Sequence, residues 1–100
     1  MSVYLQVWRA RVPEDSVTPL LEIHQAAIAE ARRLCPELLG ADLVRLDDGS
    51  WLHVLRWSAP DGDERLMQHA EHFDAVTMMH AHLEDAEQVG RGEIVDVAGG

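Results

Sequence analysis

The chain has 100 residues, of which 47% are hydrophobic, a composition typical of one globular domain spanning residues 1–100. Its net charge of −10 argues against binding to nucleic acid or to an anionic membrane surface, because both need a cationic protein surface. The single cysteine, Cys35, cannot form an intrachain disulfide. No apolar run approaches membrane-spanning length and the N-terminus lacks a signal-peptide pattern, so we expect a cytoplasmic protein.

The first third of the chain predicts a strand followed by a helix. Residues 3–12 alternate, with Val3, Leu5 and Val7 on one side and Tyr4, Gln6, Trp8 and Ala10 on the other. A helix is expected to begin at Thr18-Pro19, because proline is favoured in the first helical turn. It ends at Cys35-Pro36, since proline restricts the residue before it. Its buried side is marked by apolar residues at helical spacing: Leu20, Ile23, Ala27, Ala31 and Leu34.

The segment 43–58 predicts a β-hairpin with strands at 40–47 and 50–57. Asp48-Gly49 suits a two-residue type I′ turn, in which both central residues have positive φ. This turn would pair Asp47 with Ser50 and set the register. In that register one face is mostly aliphatic, and the other carries Asp42, Val44, Leu46, Trp51, His53, Leu55 and Trp57.

The second half predicts a helical region and a short last strand. A helix start is expected at residues 58–61, and a change in the phase of the apolar stripe indicates a break near Phe73-Asp74. Gly90 and Gly92 are expected to end the helical region, with a final strand at 93–97.

This order, βαββαβ, predicts a ferredoxin-like α+β fold in which both helical regions cover one face of an antiparallel sheet. If the aliphatic face lies under the helices, the open face carries three tryptophans and is too apolar to meet water. We therefore expect a homodimer in which two sheets pack face to face. A register shift of one residue in a strand would exchange that strand's two faces.

The chain resembles the dimeric α/β-barrel proteins, specifically their antibiotic biosynthesis monooxygenase-like branch. The resemblance rests on the aromatic alternation of the first strand and on residues 36–40 (PELLG), 47–51 (DDGSW) and 56–58 (RWS). It implies two ferredoxin-like subunits packed sheet against sheet, with a cavity between sheet and helices or within the barrel. It also implies a range of reactions, from cofactor-independent oxygenation of aromatic polyketides to haem degradation, polyketide cyclisation and lactone isomerisation. The fold therefore does not settle the reaction.

His53 is the first candidate for acid–base catalysis, because it lies mid-strand on the aromatic face and histidine titrates near neutral pH. In the predicted register Asp42 is a diagonal neighbour that could orient the ring. A base that deprotonates a phenol makes an anion able to reduce oxygen directly, and such chemistry needs a dry pocket. No metal or flavin is expected. The alternative is that His53 is a histidine of the dimer interface.

Six further residues are predicted to contact an aromatic substrate by stacking or hydrogen bonding: Tyr4, Gln6, Trp8, Trp51, Trp57 and His80. The alternative is that the tryptophans form the core of a dimer interface. His69 and His72 have helical spacing but match no zinc pattern, so a solvated helix is the simpler interpretation. Two other functions remain open: a non-catalytic dimer that binds a ligand or has a structural role, and haem degradation, although the paired tryptophan of haem-degrading relatives is absent.

Overall fold

The computed structural model describes residues 2–99. In this part of the chain a four-stranded antiparallel sheet carries three helices on one face, with the bounds β1 (Tyr4–Arg11), α1 (Val17–Leu34), β2 (Leu38–Arg45), β3 (Trp51–Trp57), α2 (Gly62–Met67), α3 (Ala75–His80) and β4 (Glu84–Glu93). Single 3₁₀ turns lie at Glu14–Ser16 and Ala70–His72. The strand order β2-β3-β1-β4 is that of the predicted ferredoxin-like α+β fold.

The core lies between α1 and the sheet. Leu20, Ala27 and Ala31 recur on one side of α1 and pack in one cluster with Trp51 and Trp57 of β3. The predicted end of α1 is confirmed, since Cys35 is extended and Pro36 follows it.

The hairpin turn has three residues, so the predicted type I′ turn at Asp48-Gly49 is wrong. The Leu46 carbonyl accepts from Gly49 N at 2.9 Å, Leu46 N donates to the Ser50 carbonyl at 2.8 Å, and Gly49 has a φ of 88°. A type I turn followed by a left-handed glycine produces this arrangement. Asp48 holds it by accepting hydrogen bonds from the backbone and hydroxyl of Ser50 at 2.9 and 2.6 Å.

The extra turn residue shifts β2 by one position against β3. Leu43 lies opposite His53 and Asp42 lies opposite Val54, where the predicted register put Asp42 and Val44 on the His53 side. The faces of β1 and β3 are paired as expected, with Trp8 opposite His53 and Val7 opposite Val54.

The helices cover the aromatic face of the sheet, whereas the homodimer was predicted on the assumption that they cover the aliphatic face. The cavity face, which we define by Gln6, Trp8, His53 and Trp57, lies against residues of all three helices. The other side of the sheet is the aliphatic face, and no helix of this chain packs on it within residues 2–99. We call it the open face and define it by four half-buried residues: Leu5, Val7, Leu52 and Val54. The aromatic face of the sheet, and not the aliphatic face, therefore packs in the core with the helices.

The last strand also differs from the prediction. The break at Phe73-Asp74 is confirmed, because α3 begins at Ala75. Helix does not continue to Gly90, however, since residues 84–93 form β4 and pair with β1. The side chains of this strand are exposed and mostly polar, so they show no alternation of apolar and polar residues from which a strand could be predicted. The strand forms through backbone pairing with β1.

Candidate active site

A cavity of about 550 Å³ lies between the cavity face and the helices. Its floor is the sheet, where Trp8, His53 and Trp57 contribute side chains, and its walls are mainly apolar side chains of the helices and the start of β4. A pocket of this size and composition suits an apolar or aromatic small molecule held by a few polar groups.

His53 is the titratable side chain on the cavity floor, and it is 5% exposed. Its Nε2 lies 3.3 Å from Nε2 of His24 on α1, and the two rings meet edge to face with centroids 5.3 Å apart. Within residues 2–99 every buried side-chain nitrogen and oxygen has a hydrogen-bond partner. The hydrogen bond between His53 and His24 uses Nε2 of His53. Its other nitrogen, Nδ1, has no hydrogen-bond partner within the described residues, so it is not fully buried and is the nitrogen that a molecule in the cavity can reach.

The surroundings of His53 keep its ring neutral. The pKa of His53 is lowered to about 4, mainly by burial and to a smaller extent by the neighbouring His24 and His80, while Asp42 opposes them. Burial also lowers the pKa of His24, again opposed by Asp42. At neutral pH both rings are therefore uncharged, and one Nε2 donates a hydrogen bond to the other.

Gln6 is held by a polar network at the other end of the cavity. Its Nε2 donates to Gln88 at 2.9 Å and to Asp63 at 3.2 Å, while its Oε1 accepts from Trp57 Nε1 at 3.3 Å. Arg91 adds two hydrogen bonds of 3.1 Å to the Asp63 carboxylate. Both amide hydrogens of Gln6 are thus engaged, so Gln6 fixes the Trp57 ring and β4 more than it offers donors to a ligand.

The helical wall is attached to α1 through Glu30, which is 6% exposed. Its two carboxylate oxygens accept from the backbone nitrogens of Asp74, Ala75 and Val76 at 2.9, 3.2 and 2.9 Å. Burial raises the pKa of Glu30, but these three donors outweigh burial and the net pKa lies below its ordinary value. Glu30 thus holds the first turn of α3, whose Val76, Met79 and His80 line the cavity.

The predicted site residues separate into two groups. Gln6, Trp8, His53, Trp57 and His80 all line the cavity. His80 is at the exposed rim, where desolvation against the cavity wall lowers its pKa.

The other predicted residues lie elsewhere. Tyr4 borders a smaller cavity of about 260 Å³ beside Trp57. Trp51 is 5% exposed in the core, with the Arg45 guanidinium 4.7 Å from its ring centroid. The predicted contact between Asp42 and His53 is wrong, because the shifted register places Asp42 on the opposite side of the sheet, where it forms an ion pair with Arg56.

Two residues of the site were not predicted from the sequence. His24 falls four residues after Leu20 and three before Ala27, so it lies on the buried stripe of α1, and this spacing was the available signal. Asp63 follows the expected helix start, and nothing in its local sequence indicates its contact with Gln6 of β1.

Among residues 2–99, no three histidine, cysteine, aspartate or glutamate side chains are grouped closely enough to hold a metal ion. In the same residues, no helix has the length and apolar character needed to cross a membrane.

Known structures resemble the chain over nearly its whole length. SnoaB, described as a cofactor-independent oxygenase from Streptomyces nogalater, superimposes with a TM-score of 0.65 at 18% identity, covering 98% of this chain and 95% of that one. A dimeric ferredoxin-like protein from an uncultured marine organism gives 0.68 at 11% identity, covering 98% and 92%. A further antibiotic biosynthesis monooxygenase gives 0.58 at 17% identity, covering 98% and 100%.

No protein-family model matches the sequence, and no curated protein matches it. At identities of 11–18% these similarities establish the fold and leave the reaction open. The protein therefore has the ferredoxin-like fold shared by antibiotic biosynthesis monooxygenase-like proteins.

Proposed function

We propose that the protein is a small-molecule enzyme that oxygenates a hydroxylated aromatic or polyketide-like compound without metal or flavin. The observation that carries this proposal is the apolar cavity of about 550 Å³ with a neutral, buried histidine among the residues that line its floor. Trp8 and Trp57 offer ring faces on which a flat substrate stacks. His53 Nδ1 accepts the proton of a substrate hydroxyl.

The resulting anion is electron-rich enough to reduce molecular oxygen. One oxygen atom replaces the hydrogen of an activated ring carbon and forms a quinone carbonyl. The second oxygen leaves as water with that hydrogen and with the proton taken from the substrate hydroxyl, so the substrate supplies all the electrons. The apolar walls exclude bulk water from the anion, which favours this reaction over simple reprotonation. The described similarity to a cofactor-independent oxygenase supports the same chemistry.

We further propose that the protein acts as a homodimer through the open face. Leu5, Val7, Leu52 and Val54 form an apolar surface that nothing within residues 2–99 covers. One similar structure is described as a dimeric ferredoxin-like protein. This interface leaves the cavity face free for the substrate.

A second candidate is a non-catalytic protein that binds an aromatic ligand in the same cavity. The low pKa of His53, about 4, favours this alternative, because so weak a base removes a phenol proton at a large energetic cost. Catalysis requires that the substrate anion, or a second group, stabilises the protonated ring.

Oxygen consumption with a panel of polycyclic phenols separates the two functions. An enzyme consumes oxygen in proportion to substrate loss, is insensitive to EDTA, and loses at least about 100-fold in kcat when His53 is replaced in His53→Ala. The matched control His72→Ala changes an exposed histidine and should leave turnover unchanged. Binding of a phenol without its consumption, or equal turnover in both variants, would exclude the catalytic proposal.

A further inference from the structure

His24 is not among the residues that line the cavity, yet it is 9% exposed and its Nε2 lies beside Nε2 of the proposed base. A buried histidine on an apolar helix stripe is costly unless its nitrogens are hydrogen-bonded. Its recorded partner is Nε2 of His53, 3.3 Å away. The two rings therefore form a pair in which one nitrogen, His53 Nδ1, reaches the cavity.

We propose that His24 is a positioning residue that sets the tautomer of His53 and receives a proton from it during turnover. In the resting pair His53 carries its hydrogen on Nε2 and donates it to His24 Nε2. The lone pair of His53 Nδ1 then points to the cavity as an acceptor. This inference rests on the proposed function for the identity of the proton donor.

The step balances as two linked proton transfers. The substrate O–H bond breaks and an N–H bond forms at His53 Nδ1, while the His53 Nε2–H bond breaks and an N–H bond forms at His24 Nε2. The substrate gains one negative charge and His24 one positive charge, and His53 ends neutral with its hydrogen on Nδ1.

Moving the positive charge from His53 to His24 lowers the energetic cost of taking a proton from the substrate, which is otherwise high because the pKa of His53 is low. Burial together with His24 and His80 opposes a charge on His53, whereas burial alone opposes one on His24, and Asp42 favours both. His80 of α3 lies on the same side of the sheet as the pair, whereas Asp42 of β2 acts on it from the opposite side of the sheet. The positive charge is therefore held more favourably on His24, which does not line the cavity. The distance of 3.3 Å between the two Nε2 atoms is long for a hydrogen bond, and such bonds often shorten when a substrate binds.

Nitrogen-15 NMR of histidine-labelled protein near neutral pH tests the resting pair directly. We expect His53 as the Nε2–H tautomer and His24 as the Nδ1–H tautomer. In His24→Leu the acceptor is lost, so His53 should become a mixture of tautomers. In His24→Gln the side-chain oxygen still accepts, so His53 should keep its tautomer. His53 found as the Nδ1–H tautomer in the unchanged protein, or unaffected in His24→Leu, would overturn the proposal.

The same variants separate positioning from proton transfer. In His24→Gln the tautomer of His53 is kept but residue 24 cannot take a proton, so kcat should fall about 100-fold with little change in KM. In His24→Leu kcat should fall at least as far. Full activity in His24→Gln would overturn the transfer step. The NMR result does not depend on turnover, so a protein with the expected tautomers and no activity contradicts the proposed function and leaves the pairing intact. Should His24→Leu fail to fold, the unchanged protein and His24→Gln still decide the question.

Discussion

The two faces of one sheet differ in what their side chains contact. On the cavity face Gln6, His53 and Trp57 are 5%, 5% and 3% exposed, and each has a hydrogen-bond partner. On the open face Leu5 and Val54 are half-buried and meet no other layer within residues 2–99. On this sheet, polar and aromatic side chains are therefore buried under the helices, where neighbouring groups satisfy their hydrogen bonds, while the aliphatic side chains of the open face stay partly exposed.

The largest difference between the faces should appear when a side chain is removed from each. Trp57→Ala should lower the free energy of unfolding by about 4 kcal/mol, since it opens a large void and leaves Gln6 Oε1 without its donor. Val44→Ala, on the open side and 38% exposed, should cost about 0.5 kcal/mol. Chemical denaturation measures both, and equal losses would contradict the difference described here.

A pH-dependent loss of stability should distinguish the buried histidine of the cavity face. The pKa of His53 is 6.5 when unfolded and about 4 when folded, so the unfolded chain binds more protons between these values. Stability contributed by the neutral ring is full above pH 6.5 and falls as pH drops toward 4, by about 3 kcal/mol in total.

The pH dependence is assigned by comparing variants in urea unfolding at several pH values. His53→Leu should flatten the curve in this window, whereas His72→Leu, at an exposed site, should leave it unchanged. Burial also lowers the pKa values of His24 and His80, so these two histidines contribute to the residual slope. Parallel curves for His53→Leu and the unchanged protein would rule out a buried neutral ring.

A charge placed on the open face should prevent self-association without harming the fold. Val54→Lys puts an ammonium group from each subunit into the apolar proposed interface, so the dimer dissociation constant should rise at least about 100-fold. Val54→Leu keeps the surface apolar and should remain dimeric. Light scattering after size exclusion measures both. An unchanged protein that is monomeric at micromolar concentration would mean that the open face is not a dimer interface.

Alanine substitutions at two glycines, one beside each face of the sheet, should give the smallest difference in stability. A Cβ on Gly62 would overlap the Trp57 ring, so Gly62→Ala should cost about 2 kcal/mol as the ring shifts. A Cβ on Gly90, beside Val7 on the open face, would have no neighbour within 4 Å, so Gly90→Ala should change stability by less than about 0.5 kcal/mol in the isolated chain. Thermal unfolding at low protein concentration compares them, and a larger loss for Gly90→Ala would contradict the assignment of faces.

Local patterns predicted much of the secondary structure and part of the site. Alternation placed Gln6 and Trp8 on one side of β1, and proline placed the end of α1 correctly, because both depend on neighbouring residues. Asp42 was misplaced because a three-residue turn differs from a two-residue turn by one position, and one position reverses a strand. The last strand was predicted at 93–97 and lies at Glu84–Glu93, because an exposed edge strand has no buried side for a pattern to mark.

The sequence by itself determined which side chains share a face within β1 and within β3, since the side-chain period of a strand is two residues whatever surrounds it. It also determined the order of elements that leads to a ferredoxin-like sheet. Tertiary structure alone decided which face the helices cover, and it brought His24 of α1 to within 3.3 Å of His53 on β3. These features depend on contacts between residues far apart in the chain, where packing and hydrogen bonding outweigh local preference.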